Sequence, residues 1–220
     1  MDYLPSIEFQ SNPKTNVTAA VIWLHGLGAD GNDFAPLARE LHLPEDKNVR
    51  FVFPNAPAIP VTINNGYVMP AWYDIFEMTL DRKVDVAQLR ASAKKIHALI
   101  EREIQRGVPS EKIIIAGFSQ GGAVAYEAAL SYEKPLAGLL ALSTYFATTE
   151  TLVEHPANKQ ISILIQHGAG DFVVDEVLGQ RAYRELSDRG YSVKYETYNM
   201  DHTVCAEQVD DIREWLLEIF

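Results

Sequence analysis

Two alternating apolar patterns run along the chain. Unbroken runs of strand length recur at Ala19 to Leu24, Val49 to Phe53, Ile113 to Ile115, Leu136 to Leu142 and Ile161 to Ile165. Runs without polar alternation suit strands covered on both faces of a sheet. Between them the apolar positions take helical spacing. Asp85 is placed to cap a long helix with Val86, Leu89, Ala93, Ile96, Ile100 and Ile104 on one face, closed by Gly107 and Pro109. Asn32 or Asp33 is placed to cap a short helix through Leu41, and Asp175 or Glu176 to open one that ends at Gly190. Val193 to Tyr198 alternates like an edge-proximal strand, and Val209, Ile212, Trp215, Leu216 and Ile219 mark a final helix from Glu207 to Phe220. Strands alternating with helices predict an α/β fold with a mostly parallel central sheet and helices on both faces.

Two stretches resist this reading. Thr144 to Gln160 gives weak signals, and Asn55 to about Val84 has no sustained period, although Asn64-Asn65-Gly66 marks a turn. Met69-Pro70-Ala71-Trp72-Tyr73 is expected to expose large side chains, because stretches of this kind inside a compact domain are usually lids or binding loops. No repeat, low-complexity tract or linker interrupts the chain, so residues 1–220 are expected to form a single domain.

Charge narrows the function. Nineteen Lys and Arg stand against 30 Asp and Glu, a formal charge of −11 that repels nucleic acid and anionic headgroups. No nucleic-acid role is expected. Nor does any stretch approach the roughly 20 apolar residues of a membrane span, and the N-terminus lacks a basic and apolar leader, which predicts a cytoplasmic protein with no integral membrane association. The single cysteine, Cys205, permits no internal disulfide, fits a reducing compartment and leaves no thiolate cluster for zinc.

The most informative stretch follows the isoleucine run. Gly117-Phe118-Ser119-Gln120-Gly121 stands between a strand and a segment rich in helix formers, which is the setting of a nucleophile elbow. Such a turn holds its serine in a strained conformation, and only small residues fit two positions before and after it.

A serine hydroxyl is a weak nucleophile until a base takes its proton, and the base is usually oriented by a carboxylate. Of six histidines, His97 lies within the long helix, and His42 and His155 lie beside Pro44 and Pro156 in surface segments. His25 and His167 each precede a glycine. His202 follows the last strand and precedes the final helix, where an open α/β sheet collects its site residues. It is the predicted base. For the acid, Asp171 sits in a glycine-rich loop past a strand end, whereas Asp175 is better explained as a helix cap and Asp201 points away from its neighbour His202. The chain order Ser119, Asp171, His202 is that of α/β-hydrolases.

Acyl transfer also needs donors for a tetrahedral oxyanion. The backbone N–H of Gln120 is one candidate, and Leu27, between Gly26 and Gly28, supplies the second. His25 is expected to anchor that loop by hydrogen bonding. The same loop, with Gly26, Gly28 and Gly31, is a literal dinucleotide-binding fingerprint. Against that rival, Asp30 and Asp33 would stand beside the phosphates, and Val49 to Phe53 ends in Pro54-Asn55 where an acidic residue should hold the ribose. A non-catalytic binding protein on the same fold is the other alternative.

With these residues assembled, the chain resembles the phospholipase/carboxylesterase family, which includes acyl-protein thioesterases and small bacterial carboxylesterases. The likeness is carried by V-I-W-L-H-G-L-G-A-D-G from Val21, P-V-T-I-N from Pro60, W-Y-D-I from Trp72, A-G-F-S-Q-G-G-A from Ala116, A-L-S-T-Y from Ala141, H-G-A-G-D-F-V-V from His167 and the Asp201-His202 region. It implies an α/β-hydrolase fold without a large cap domain, a triad of Ser119, Asp171 and His202, and an oxyanion hole from Leu27 and Gln120. No metal or cofactor is expected. It also implies an acyl-binding groove bordered by Met69 and Trp72, with Phe172 and Val173 near it. The implied substrates are acyl esters or thioesters, as small molecules, lysolipids or S-acylated proteins. The oligomeric state stays open, a homodimer through aromatics near Trp72 being one arrangement. Gly170 is a departure, standing where relatives often carry a second acidic residue.

Overall fold

The computed structural model describes residues 3–220. A seven-stranded sheet forms its centre, built from β1 (Ser6–Gln10), β2 (Ala19–Leu24), β3 (Val49–Pro54), β8 (Ile113–Phe118), β9 (Gly138–Leu142), β10 (Ser162–Gly168) and β11 (Val193–Tyr198). The spatial order is β1-β3-β2-β8-β9-β10-β11, parallel throughout except for β1, which pairs antiparallel with β3. Four shorter strands make two separate hairpins: β4 (Ala58–Val61) with β5 (Tyr67–Pro70), and β6 (Ile75–Glu77) with β7 (Lys83–Val84). The helices are α1 (Ala35–Glu40), α2 (Val86–Gln105), α3 (Gln120–Leu130), α4 (Glu176–Asp188) and α5 (Ala206–Ile219).

Period-two geometry divides the buried strands between two cores. Ala20, Ile22, Leu24, Ile113 and Ile115 face one layer with Leu89 and Ile96 of α2, Val124 of α3 and Leu178 and Leu186 of α4. Ala19, Val21, Trp23 and Ile114 face the other, with Ala38 of α1 and Ile212, Trp215 and Leu216 of α5. The isoleucine run is apolar throughout because consecutive residues serve opposite layers. Helix α3 lies against β8 and α2, and all of its residues are buried, which explains its alanine-rich composition. Among the described residues no large cap domain covers the sheet; this is an α/β-hydrolase fold.

Several boundaries differ from expectation. Helix α1 begins at Ala35 with Phe34 as its N-cap, because the Asp30 side chain is spent on the Asn32 backbone N–H and the turn continues past Asn32 and Asp33. Asp85 does cap α2, accepting from Gln88 N–H at 2.9 Å, and Asp175 caps α4. The 55–84 stretch is ordered: the two hairpins, a 3-10 turn at Thr62–Asn64, and left-handed Asn65 and Gly66 account for most of it. Strand β1 escapes the sequence reading because Ser-Ile-Glu-Phe-Gln is a short half-buried edge.

Candidate active site

The carboxyl ends of β2, β8, β9, β10 and β11 converge at Ser119. Gly117 and Gly121 make the crossing there: a Cβ on Gly117 would stand 2.4 Å from the Gly121 carbonyl oxygen, and one on Gly121 would stand 2.5 Å from that of His25. The turn leaves Ser119 at φ 53°, ψ −121°, a region that costs a non-glycine residue on the order of 1–3 kcal/mol. The surroundings hold it there. Ser119 N–H donates to Leu142 O at 2.9 Å, and Thr144 Oγ1 donates to Ser119 O at 2.6 Å.

Asp171 lies in the turn after β10, nearly buried. Its Oδ1 accepts from the amides of Val173 (2.9 Å) and Val174 (2.8 Å), while Oδ2 accepts from His202 Nδ1 at 2.7 Å. Burial acts to raise the pKa of this carboxyl, but the hydrogen bonds from His202, Val174 and Val173 outweigh it and leave the group below the usual carboxylate range. His202 is thereby fixed with Nδ1–H toward the acid and Nε2 free to act as a base. Its ring packs on Phe118, the residue before Ser119, with centroids 4.6 Å apart. The structure therefore joins Asp171 to His202 directly and brings His202 beside the elbow through its packing on Phe118.

The loop after β2 runs alongside. A Cβ on Gly26 would lie 3.5 Å from Ser119 Cβ, so Leu27 follows at the edge of the serine. Among the described residues the backbone N–H groups of Leu27 and Gln120 donate to no other group, whereas the intervening loop is tied by Gly28 N–H to Pro70 O at 2.8 Å. His25 anchors the loop as expected: Nε2 accepts from Ala56 N–H at 3.0 Å, which puts the proton on Nδ1 for Gly26 O at 2.7 Å. Burial pushes its pKa down and keeps it neutral. The dinucleotide reading fails on geometry, since α1 starts four residues after Gly31 and brings no helix N-terminus to the glycines.

Trp72 requires a correction. It is 1% exposed, its indole N–H donates to His25 O at 2.8 Å, and with Tyr73 it belongs to the core, so it supports the loop from beneath instead of bordering an open groove. A segment predicted to expose its aromatics buries them because the backbone on either side is pinned. Met69 is half-buried, with its sulfur near Gly28, and Phe172 and Val173 are exposed, 82% and 43%, directly after Asp171. Tyr67, Val68 and Phe76 of the two hairpins are the exposed apolar residues that the sequence reading placed at Trp72.

Sequence reasoning missed three other neighbours. The Gln120 side chain clamps the 72–73 backbone; Thr144 holds the elbow; and His167, fully buried, stands 3.6 Å from Asp171 Oδ2 while donating from Nε2 to Val174 O at 2.7 Å. The available signal was a polar residue inside an otherwise apolar run. Gly170 also finds a reason: a side chain there would meet Asp201 Oδ1 at 3.0 Å, so an acid at this position would face another acid.

Comparison with known proteins bears directly on this arrangement. The family model described as Phospholipase/Carboxylesterase matches residues 6–219. The chain belongs to that family. It is 40% identical over 212 residues to an acyl-protein thioesterase 1 from Neurospora crassa, covering 91% of this chain and 86% of that one. Among solved structures it is similar to Arabidopsis thaliana SOBER1, with a TM-score of 0.85 at 31% identity over 92% of this chain and 99% of the other. It is similar also to Zea mays acyl-protein thioesterase 2, with a TM-score of 0.85 at 28% identity over 98% and 99%. As a member of the phospholipase/carboxylesterase family it is a serine hydrolase of esters or thioesters. Among the described residues no helix is long and apolar enough to cross a membrane.

Proposed function

We propose that Ser119, His202 and Asp171 are the catalytic triad of this hydrolase and that its substrates carry an apolar acyl chain. The observation that carries the reading is the 2.7 Å bond between His202 Nδ1 and Asp171 Oδ2 beside a strained serine elbow. In the reaction His202 Nε2 takes the proton of Ser119 Oγ as Oγ attacks the acyl carbonyl carbon. The developing oxyanion is received by the N–H groups of Leu27 and Gln120, each worth about 2.7–4 kcal/mol of barrier in comparable hydrolases. The imidazolium returns its proton to the departing oxygen or sulfur as the acyl bond breaks. Water, deprotonated by the same nitrogen, then attacks the acyl-enzyme, and as the acyl–Oγ bond breaks the imidazolium returns the proton to Ser119 Oγ and a carboxylic acid is released.

An acyl substrate is favoured by the exposed Phe172 and Val173 immediately beyond the acid and by the thioesterase relatives. The family label, the exposed hairpin residues and the open sheet end fit both oxygen esters and S-acylated proteins. Reaction with a fluorophosphonate tests the chemistry: one equivalent is expected on the parent and none on Ser119→Ala, and an unlabelled, folded parent overturns it. Rates on p-nitrophenyl esters from acetate to palmitate, alongside a palmitoyl thioester, test the substrate. Values of kcat/KM are expected to rise with chain length beyond acetate, and a steady fall removes the acyl-chain assignment.

A further inference from the structure

Arg82 immediately precedes β7, 91 positions before the residue it holds. Its Nη2 donates to the backbone oxygen of Val173, and its guanidinium lies over the Tyr145 ring with Cζ 4.8 Å from the centroid. Tyr145 is itself fixed by a 2.7 Å hydroxyl pair with Tyr73. Among the described residues no carboxylate comes within ion-pair distance of Arg82, so a carbonyl takes the place that an acid usually fills.

That carbonyl belongs to the peptide group joining Val173 to Val174. The N–H of the same peptide donates to Asp171 Oδ1 at 2.8 Å, and Asp171 Oδ2 receives His202 Nδ1–H. A cation on the oxygen side of a peptide draws electron density from its nitrogen and strengthens the bond that the N–H makes, because linked hydrogen bonds polarise one another. It also fixes the peptide plane, which is otherwise part of a turn whose side chains, Phe172 and Val173, lie in solvent.

We infer that Arg82 is a positioning residue for the triad acid, acting through the Val173–Val174 peptide, so that the β6–β7 hairpin helps to orient His202. This rests on the catalytic reading above for its consequence in turnover, though not for the geometry. The neighbouring Arg181 provides an internal contrast. It donates to Leu80 O at 3.3 Å and stands 3.5 Å from Asp81, so it ties the same hairpin to α4 without touching the acid turn.

The test compares Arg82→Met, Arg82→Gln and Arg181→Met with the parent. Both Arg82 variants are expected to lose about tenfold or more in kcat with KM within about twofold, the signature of a misoriented catalytic group. Arg181→Met is expected to keep the parent kcat. On a Ser119→Ala background, where no turnover enters, the downfield proton resonance of His202 Nδ1–H is expected to broaden or vanish in the Arg82 variants and to persist with Arg181→Met. Parent-like kcat and an undisturbed resonance in whichever Arg82 variant folds overturn the inference, as does an equal loss in Arg181→Met. Failure of the catalytic reading is told apart by an unlabelled parent in the fluorophosphonate reaction.

Discussion

Gln120 and Trp72 are joined across 48 positions: Gln120 Oε1 accepts the Trp72 backbone N–H at 2.9 Å, while its Nε2 donates to Tyr73 O at 2.7 Å. One buried amide thus satisfies two backbone groups of the covering segment. Gln120→Leu leaves the Trp72 amide and the Tyr73 carbonyl unpaired. With about 1–3 kcal/mol for each of the two stranded groups, a loss of roughly 2–6 kcal/mol is expected, read as a lower urea midpoint at unchanged m-value.

The elbow itself admits little change. In Gly121→Ala the new Cβ would fall 2.5 Å from His25 O and 2.6 Å from Leu24 O, both backbone atoms of a central strand and its exit. Overpacking against backbone costs roughly 1–3 kcal/mol or more. A reduced thermal midpoint and a fall in serine labelling are expected together, whereas a parent-like midpoint would show that β2 yields there.

Asp171→Asn keeps the shape of the acid and removes its charge. The amide is expected to reverse the imidazole tautomer that the carboxylate holds, since its NH2 now offers a proton to Nδ1. A fall in kcat of about 10⁴-fold is expected, in line with the same change in a serine protease, with the folded state retained in circular dichroism.

His25 and His167 are both buried, and burial lowers the pKa of each below its unfolded value near 6.5. Between the two values the unfolded chain binds more protons, so stability is fully present above about pH 6.5 and declines as pH falls toward the folded values. Each contributes up to about 1.4 kcal/mol per pH unit in that window. Denaturant midpoints between pH 7 and 5 are expected to fall less steeply in His167→Gln than in the parent.

These residues show what the sequence discloses and what it withholds. Asp171 and His202 were legible because each follows a strand run and precedes a helix, so the alternation that predicts the sheet also delivers them to one end of it. His25 was legible as an anchor for the same reason. Trp72 was misread because burial of an irregular segment depends on partners far away in sequence, here His25, Gln120 and Ser92, whose hydroxyl also bonds Trp72 O. The hairpins escaped detection because strands of two to four residues are too short to establish a period. Arg82 left no trace in any local pattern, since its role is defined by a carbonyl in another loop.

The two hairpins between β3 and α2 add no strand to the central sheet, and the second closes on itself, with Asp85 N–H bonded to Asp74 O at 2.9 Å at the entrance to α2. Variation is therefore confined to the exposed hairpin positions around Tyr67, Val68, Phe76 and Leu80, which can change without shifting the register of any core strand, while the buried Trp72 and Tyr73 between the hairpins tie the segment to the loops beside Ser119.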